Sequence, residues 1–556
     1  MPQIEINGKS VDVPANINII EAAKTVGIEI PHYCYHEGLR VVGSCRMCQV
    51  EVEQHGRRSL VIGCSTTVAD GMKVFTDTEP VRKQRQMVLE FLLQNHPLDC
   101  PICDDAGECD LQNYYMEHGL HDSRIELSEK LRKHKAFDAG PTIVLDSERC
   151  VLCSRCVRFL LEITGTGELA IFGQGMTSEL MTIPAVKLDN PYAGCVVDLC
   201  PVGALTDKDF RFKRRVWYLR SAPSICMECS RGCNIEIHYE THRPYKAPSR
   251  RIQRLKPRYN RLVNEWWMCD RGRYSYHAVD AADRLTAVQA RASNGDSGPN
   301  VRRVLQEVAR AIKTAKEKHG TKSIAVIASA KSSNEDLYLL HRLFVQHLGL
   351  HHVDAALKSE PIGPEDEILR KSDLTPNRRG AFEIGFRPAA SGKLSGDDIL
   401  KAALAKEIQV LIVVRHDLGL ALPQEHLARL GNLSYVLYLG EHGNATSGIA
   451  HGVIPLAAWA ERDGSYTNFQ GRVQRTTQAF PPLGTALPEW EIWRLLSAEV
   501  GLTIKAKSAE EVFTDLAKNV LTFRGLTWDS LAPSGRMLAG VPEPAYRKAQ
   551  TSRPLE

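Results

Sequence analysis

A chain of 556 residues predicts several domains at roughly 150 residues each, and 43% hydrophobic with 24% charged residues is the composition of a folded globular protein. A net charge of +4 over that length offers no basic stripe for nucleic acid, and the longest apolar runs, such as Val410 to Val414, fall far short of the roughly 20 residues that span a bilayer. The N-terminus reads as neither a signal peptide nor a transit peptide, so secretion and direct membrane insertion are not expected.

The cysteines carry the information. All 16 lie between Cys34 and Cys269, in four groups, and none follows up to residue 556. Without an export signal, repeated Cys-x2-Cys spacing suits metal ligation better than a disulfide framework. Thiolates held this way bind zinc or iron–sulfur clusters.

Residues 3–14 predict two short strands about a turn at Asn7-Gly8, a strong hairpin dipeptide. An amphipathic helix over about 19–26 follows, closed by Gly27 where a left-handed residue is wanted. Cys34, Cys45, Cys48 and Cys64 come next, threaded through Gly38, Gly43 and Gly63. Glycine lets backbone N–H groups come close to cluster sulfur. Residues 50–53 and 60–62 read as strands returning to the sheet. The whole resembles a [2Fe–2S] ferredoxin with a longer first gap than the plant-type spacing, and a four-thiolate zinc site is the alternative.

A second amphipathic helix, about 79–94, ends at His96-Pro97 and leads to Cys100, Cys103 and Cys109, one ligand short of four. His96 stands four residues before Cys100, and imidazole can replace thiolate at an iron–sulfur centre. We expect it to be the fourth ligand, with His118, His121 and Cys195 as competitors.

The third group begins like a bacterial ferredoxin run, Cys150, Cys153, Cys156, but its fourth position is Leu160. Cys200-Pro201 looks like the end of a second run whose earlier positions are Asn190, Ala193 and Val196. In two-cluster ferredoxins the last Cys of each run serves the other cluster. The survivors Cys150, Cys153, Cys156 and Cys200 are therefore the ligands of one [4Fe–4S] cluster, and the other cluster is lost. Cys195 falls outside this register and reads as a packed thiol. Gly165 to Ala170 matches a dinucleotide pattern but follows a helix-like stretch, so it reads as a loop.

Cys226, Cys229, Cys233 and Cys269 supply a fourth set, which looks like the [4Fe–4S] module of molybdenum-dependent formate dehydrogenases and nitrate reductases. Those families usually carry Lys two residues after the last Cys, where this chain has Arg271. Zinc remains an alternative here too. Beyond it, residues 294–299 read as a linker, 301–319 as a charged helix, 323–328 as a strand, 335–348 and 397–405 as helices, and 409–414 and 433–439 as strands. That alternation predicts a parallel α/β arrangement. Residues 454–474 resemble a late segment of the molybdopterin oxidoreductases, but no molybdenum ligand is identifiable and the region is short for that fold.

Taken together, the four groups resemble the large iron–sulfur subunit family of respiratory complex I, the NADH–quinone oxidoreductases. The resemblance implies a multidomain α+β and α/β chain: a β-grasp [2Fe–2S] ferredoxin-like domain (1–78), a helical [4Fe–4S] domain with one His and three Cys ligands (79–138), a [4Fe–4S] ferredoxin-like domain (139–220), a molybdopterin-oxidoreductase-type [4Fe–4S] module (221–277), and a truncated molybdopterin-oxidoreductase-like region (278–556). It implies one [2Fe–2S] and three [4Fe–4S] clusters and no molybdopterin. It also implies an FMN/NADH-binding partner subunit among other peripheral-arm subunits, a place on the cytoplasmic side of a bacterial inner membrane, and no nucleic acid. Electrons would pass from the FMN through the first three clusters toward quinone, the fourth being structural. Rival readings are the electron-transfer subunit of an NAD-linked hydrogenase or formate dehydrogenase, and a zinc-stapled scaffold.

Overall fold

The computed structural model describes residues 1–242, 250–291, 300–387 and 393–544; the predicted linker at 294–299 lies outside them. The chain divides into two compact units, Met1–Leu219 and Arg220–Tyr546.

In the first unit, Gln3–Ile6 and Lys9–Asp12 form the hairpin, with Asn7 and Gly8 both at positive φ (49° and 82°). They join a five-stranded sheet ordered Lys9–Asp12, Gln3–Ile6, Lys73–Phe75, Gln49–Gln54, Arg57–Ile62. Helix Ile19–Thr25, whose N-cap Asn18 accepts from Glu21 N, buries Ile19, Ile20, Ala22 and Ala23 in the core beneath that sheet. Gly27 follows at φ +74°.

Helices Glu79–Asn95 and Asp110–His118 come next. A three-stranded sheet of Leu205–Asp207, Ile143–Leu145 and Phe137–Asp138 then carries the short helices Arg155–Phe159 and Cys195–Leu199. The expected loop at 165–170 is only partly one: Gly165 and Gly167 sit at positive φ (71° and 65°), but Leu169–Phe172 is a strand paired with Glu179–Thr182. Helical structure precedes those glycines, so the dinucleotide pattern is not a strand-to-helix turn.

The second unit opens with an antiparallel sheet of Arg220–Ile225, Asn234–Tyr239 and Ile252–Pro257. Its larger sheet runs Gln289–Ala290, Gly452–Pro455, Tyr435–Gly440, Val410–Val414, Ile324–Ile327, His352–Asp354, parallel except at the first pair. Numbering the five parallel strands in chain order, the spatial order is 2-1-3-4-5, a doubly wound arrangement. Apolar strands fully buried on both faces explain why they read as continuous hydrophobic runs rather than alternating ones. The helix expected over 335–348 divides: Asn334–Leu340 is α, capped by Ser333 and Asp336, and His341–His347 is a π-turn. The mixed α and β fold is the expected one, and among the described residues no helix is long and apolar enough to cross a membrane.

Candidate metal centres

The first four cysteines converge. The Cys45 and Cys64 thiols hydrogen-bond Cys34, and Cys64 also bonds Cys48. Those bonds hold the Cys34 thiol far below its usual range, lower the Cys48 thiol, and push Cys45 and Cys64 up. Backbone comes close enough that a Cβ on Gly63 would lie 2.9 Å from the Cys48 carbonyl oxygen, so only glycine fits there without a shift.

At the second group the helix Glu79–Asn95 delivers His96 as its C-cap in extended conformation (φ −65°, ψ 134°). The Lys130 ammonium closes that helix end, donating to the carbonyls of Leu93 (2.6 Å), Gln94 (3.1 Å) and His96 (3.1 Å). Burial lowers the His96 imidazole to about 4, so it is neutral at physiological pH, the form that ligates metal. Cys100 opens a 3-10 turn and is exposed; Cys103 and Cys109 are buried, and Cys109 caps helix Asp110–His118. Arg215 donates to the carbonyls of Cys103 and Pro101. Burial, with the charges of Asp105 and Cys103, pushes the Cys109 thiol up to about 12. The competitors are engaged elsewhere: His118 lies 3.6 Å from Glu117, His121 packs edge-on to Tyr115, and Cys195 is buried at the start of its own helix.

Cys150, Cys153, Cys156 and Cys200 line one small cavity with aliphatic side chains including Leu152, Leu180 and Leu205. Burial pushes all four thiols up, aided by their mutual charges at Cys150, Cys156 and Cys200. Two arginines missed at the sequence level join this group to the first. Arg155 donates to the Tyr35 carbonyl at 2.7 Å, while Arg158 donates to the carbonyls of Cys34, Arg40 and Cys153. Tyr33 packs edge-on to Tyr114 and feels the charges of both Cys45 and Cys109. One buried cluster of side chains accordingly holds cysteines of all three groups, among them Cys34, Cys45, Cys109, Cys150, Cys153 and Cys200.

In the second unit the Cys226 N–H donates to the Cys233 carbonyl at 2.8 Å across a turn in which Gly232 has φ +62°. Cys269 caps the short helix Asp270–Arg273, and a Cβ on Gly272 would lie 2.8 Å from Cys226 Sγ. Burial and the charges of the other three cysteines of the set push the Cys226 thiol well up. Beside this group, at the carboxyl ends of the first three parallel strands, lies a cavity of about 710 Å³. Its arginines are matched by carboxylates: Arg271 meets Glu228 at 3.0 Å, Arg378 meets Glu360 and Asp373, and Arg415 meets Glu441 and Glu489 behind the wall.

The donor chemistry fits iron–sulfur clusters. Most of these thiols are buried where ionisation is opposed, so a cationic iron core supplies the charge that makes a thiolate favourable. The third group surrounds a small cavity.

Known families match along the chain in the same order. They are a 2Fe-2S iron-sulfur cluster binding domain (residues 2–79), the NADH-ubiquinone oxidoreductase-G iron-sulfur binding region (85–124) and the NADH-quinone oxidoreductase subunit 3 ferredoxin-like domain (140–206). A molybdopterin oxidoreductase Fe4S4 domain (219–281) and a molybdopterin oxidoreductase domain (377–499) follow. An NADH-quinone oxidoreductase subunit of Rickettsia felis is 28% identical, over 95% of this chain and 92% of its own. The NADH-ubiquinone oxidoreductase 75 kDa subunit of Reclinomonas americana is 27% identical, over 92% of this chain and 90% of its own. Over nearly its whole length this chain is similar to the large iron–sulfur subunits of NADH–quinone oxidoreductase. The family likeness extends to the mitochondrial 78 kDa subunit of Neurospora crassa, 29% identical over 90% of this chain and 81% of its own. A chain of an NAD+-reducing [NiFe]-hydrogenase is 29% identical over 39% of this chain, with a TM-score of 0.34, too low to compare folds. Domains that bind [2Fe–2S] and [4Fe–4S] clusters are thus present, with a molybdopterin-oxidoreductase-like region behind them.

Proposed function

We propose that this chain is the electron relay of an NADH:quinone oxidoreductase, taking electrons from a flavin-bearing subunit and passing them toward quinone. It makes and breaks no bond of its own. We assign Cys34, Cys45, Cys48 and Cys64 to one [2Fe–2S] cluster. Three [4Fe–4S] clusters are assigned to His96 with Cys100, Cys103 and Cys109, to Cys150, Cys153, Cys156 and Cys200, and to Cys226, Cys229, Cys233 and Cys269. The five domains keep the bounds given above, 1–78, 79–138, 139–220, 221–277 and 278–556.

The observation that carries this reading is the single buried core shared by cysteines of the first three groups. A relay needs its centres in one dry, rigid body, with potentials set by ligand type, hydrogen bonding and burial. The hydrogen bonds of Arg158 to both Cys34 and Cys153 carbonyls favour transfer from the first group to the third. Gly203, beside Cys103 and three residues after Cys200, favours the next transfer, to the His96 group. The exposed Cys100 makes that group the natural point of exit to a partner subunit.

The fourth group belongs to the other compact unit, which supports a structural role. We assign no molybdopterin to the chain. The second unit carries no cysteine after Cys269, and the arginines of its 710 Å³ cavity are matched by carboxylates rather than left for a polyanion. As a peripheral subunit it would sit on the cytoplasmic side of a bacterial inner membrane, beside the FMN/NADH-binding subunit.

An anaerobic metal count on the purified complex tests the assignment. One [2Fe–2S] and three [4Fe–4S] clusters give about 14 irons for this chain, without molybdenum or tungsten. About 10 irons and one zinc would make the fourth site a zinc staple, and stoichiometric molybdenum or tungsten would overturn the relay reading.

A further inference from the structure

Arg149 ends the turn Ser147–Arg149, directly before Cys150, and is 3% exposed. Its side chain lies toward the second group rather than the third. Nη2 donates to Asp99 Oδ2 at 2.7 Å and Nε to Asp99 Oδ1 at 3.2 Å, a fork onto the residue preceding Cys100. Asp146 lies 3.5 Å from Nε. The remaining nitrogen, Nη1, is buried and has no hydrogen-bond partner among the described residues. A buried guanidinium N–H left unpaired is costly, so its lack of a partner points to an acceptor the polypeptide does not supply.

The neighbourhood says what that acceptor is. A Cβ placed on Gly203 would stand 2.3 Å from Cys103 Sγ and 3.7 Å from Arg149 Cδ, so sulfur and arginine line the same gap. Lys135 reaches the Asp99 and Asp146 carboxylates, but its side chain is 42% exposed and water screens it.

We propose that Arg149 is a tuning residue for the electron relay. It presents a fixed buried cation and a free N–H to the cluster held by His96, Cys100, Cys103 and Cys109, and raises the reduction potential of that cluster above what its ligands alone give. The proposal rests on the assignment of those four side chains as ligands. Accepting one electron adds one negative charge beside the guanidinium; no bond forms or breaks and Arg149 keeps its proton. In a low-dielectric interior the nearby cation favours the reduced form. Asp99 orients the cation, and Asp99 and Asp146 partly offset it, so the balance within this trio sets the potential.

The test is potentiometric EPR on the intact complex, with iron counted in parallel. Arg149→Met should lower the reduced-to-oxidised ratio of this cluster at least tenfold at a fixed ambient potential, about 59 mV for one electron. Arg149→Lys, which keeps the charge and loses the fork, should shift it less. Asp99→Asn removes a counter-charge and should shift it the other way. A merely structural pair would not give opposite signs. The cluster of Cys150, Cys153, Cys156 and Cys200 should move less and serves as the internal reference. A loaded Arg149→Met complex with an unmoved potential would overturn the proposal. If that variant loses its iron, Asp99→Asn decides, an unmoved potential again overturning it. The ligand assignment fails separately, through a His96→Cys variant whose EPR spectrum does not change.

Discussion

Gly203→Ala is the sharpest steric probe of the second centre. The added methyl carbon would stand 2.3 Å from Cys103 Sγ and 3.1 Å from the Asp105 Cβ, whereas ordinary contact begins near 3.4 Å. The sulfur must retreat by more than an ångström, and a ligand held by metal–sulfur bonds cannot do so and stay bound. Relief through the backbone is limited, because Val202 and Ala204 on either side are 1% exposed. Overpacking of this kind costs about 1–3 kcal/mol in a closed core, enough to eject a ligand without unfolding the chain. We expect iron to fall from about 14 to about 10 per chain. The EPR signal of the cluster we assign to His96, Cys100, Cys103 and Cys109 should vanish and that of the proposed [2Fe–2S] cluster persist. Gly443→Ala is the control, since its nearest neighbour would be 3.7 Å away. A Gly203→Ala complex with full iron and an unchanged spectrum would refute the geometry and, with it, the proximity of the second and third groups.

Three further outcomes follow from the same structure. Gly272→Ala sets a methyl 2.8 Å from Cys226 Sγ and should empty the fourth site in an iron count, while NADH-to-quinone turnover holds if that site is structural. His96→Cys should change both the EPR spectrum and the midpoint potential of its cluster, because a charged thiolate replaces a neutral imidazole. Glu335, wholly buried and accepting from Ser465 N and Oγ, is pushed up to about 7 from 4.5 by desolvation. A carboxyl whose pKa rises on folding stabilises the fold fully below its unfolded value and loses that contribution as pH climbs through 7. Chemical denaturation between pH 5 and pH 8 should therefore show a loss of up to ~3 kcal/mol that Glu335→Gln abolishes; an identical slope in that variant would remove Glu335 as its source.

Much of the fold was legible because the signals were local. Asn7-Gly8 marked the hairpin, Gly27 the helix end, and buried β-branched runs the parallel strands. The four cysteine groups needed only counting. What stayed hidden has no local signature. Arg155 and Arg158 meet backbone carbonyls some 120 residues away, and a carbonyl looks the same in every residue. Tyr33 reads as one more aromatic until the fold brings Cys45 and Cys109 to either side of it. The π-turn at His341–His347 was invisible because one extra residue per turn leaves the apolar pattern nearly unchanged. The charges buried around Asp336, Arg415, Arg462 and Glu489 were missed for the same reason as the arginines: their partners lie far off in sequence.

The carbonyl contacts of Arg155 and Arg158 bear on how such a chain is built in a cell. Both arginines flank Cys156 on one helical turn, and both grip the loop that carries Cys34. That loop gains its shape from a helix more than a hundred residues later, so it cannot be finished while the later helix is still unformed. With clusters at these two places, as proposed, their insertion would be coupled through these bonds. A shortage of iron or sulfide should produce chains lacking both centres rather than a mixture lacking either, and the cell's proteases would meet one recognisable immature species instead of many.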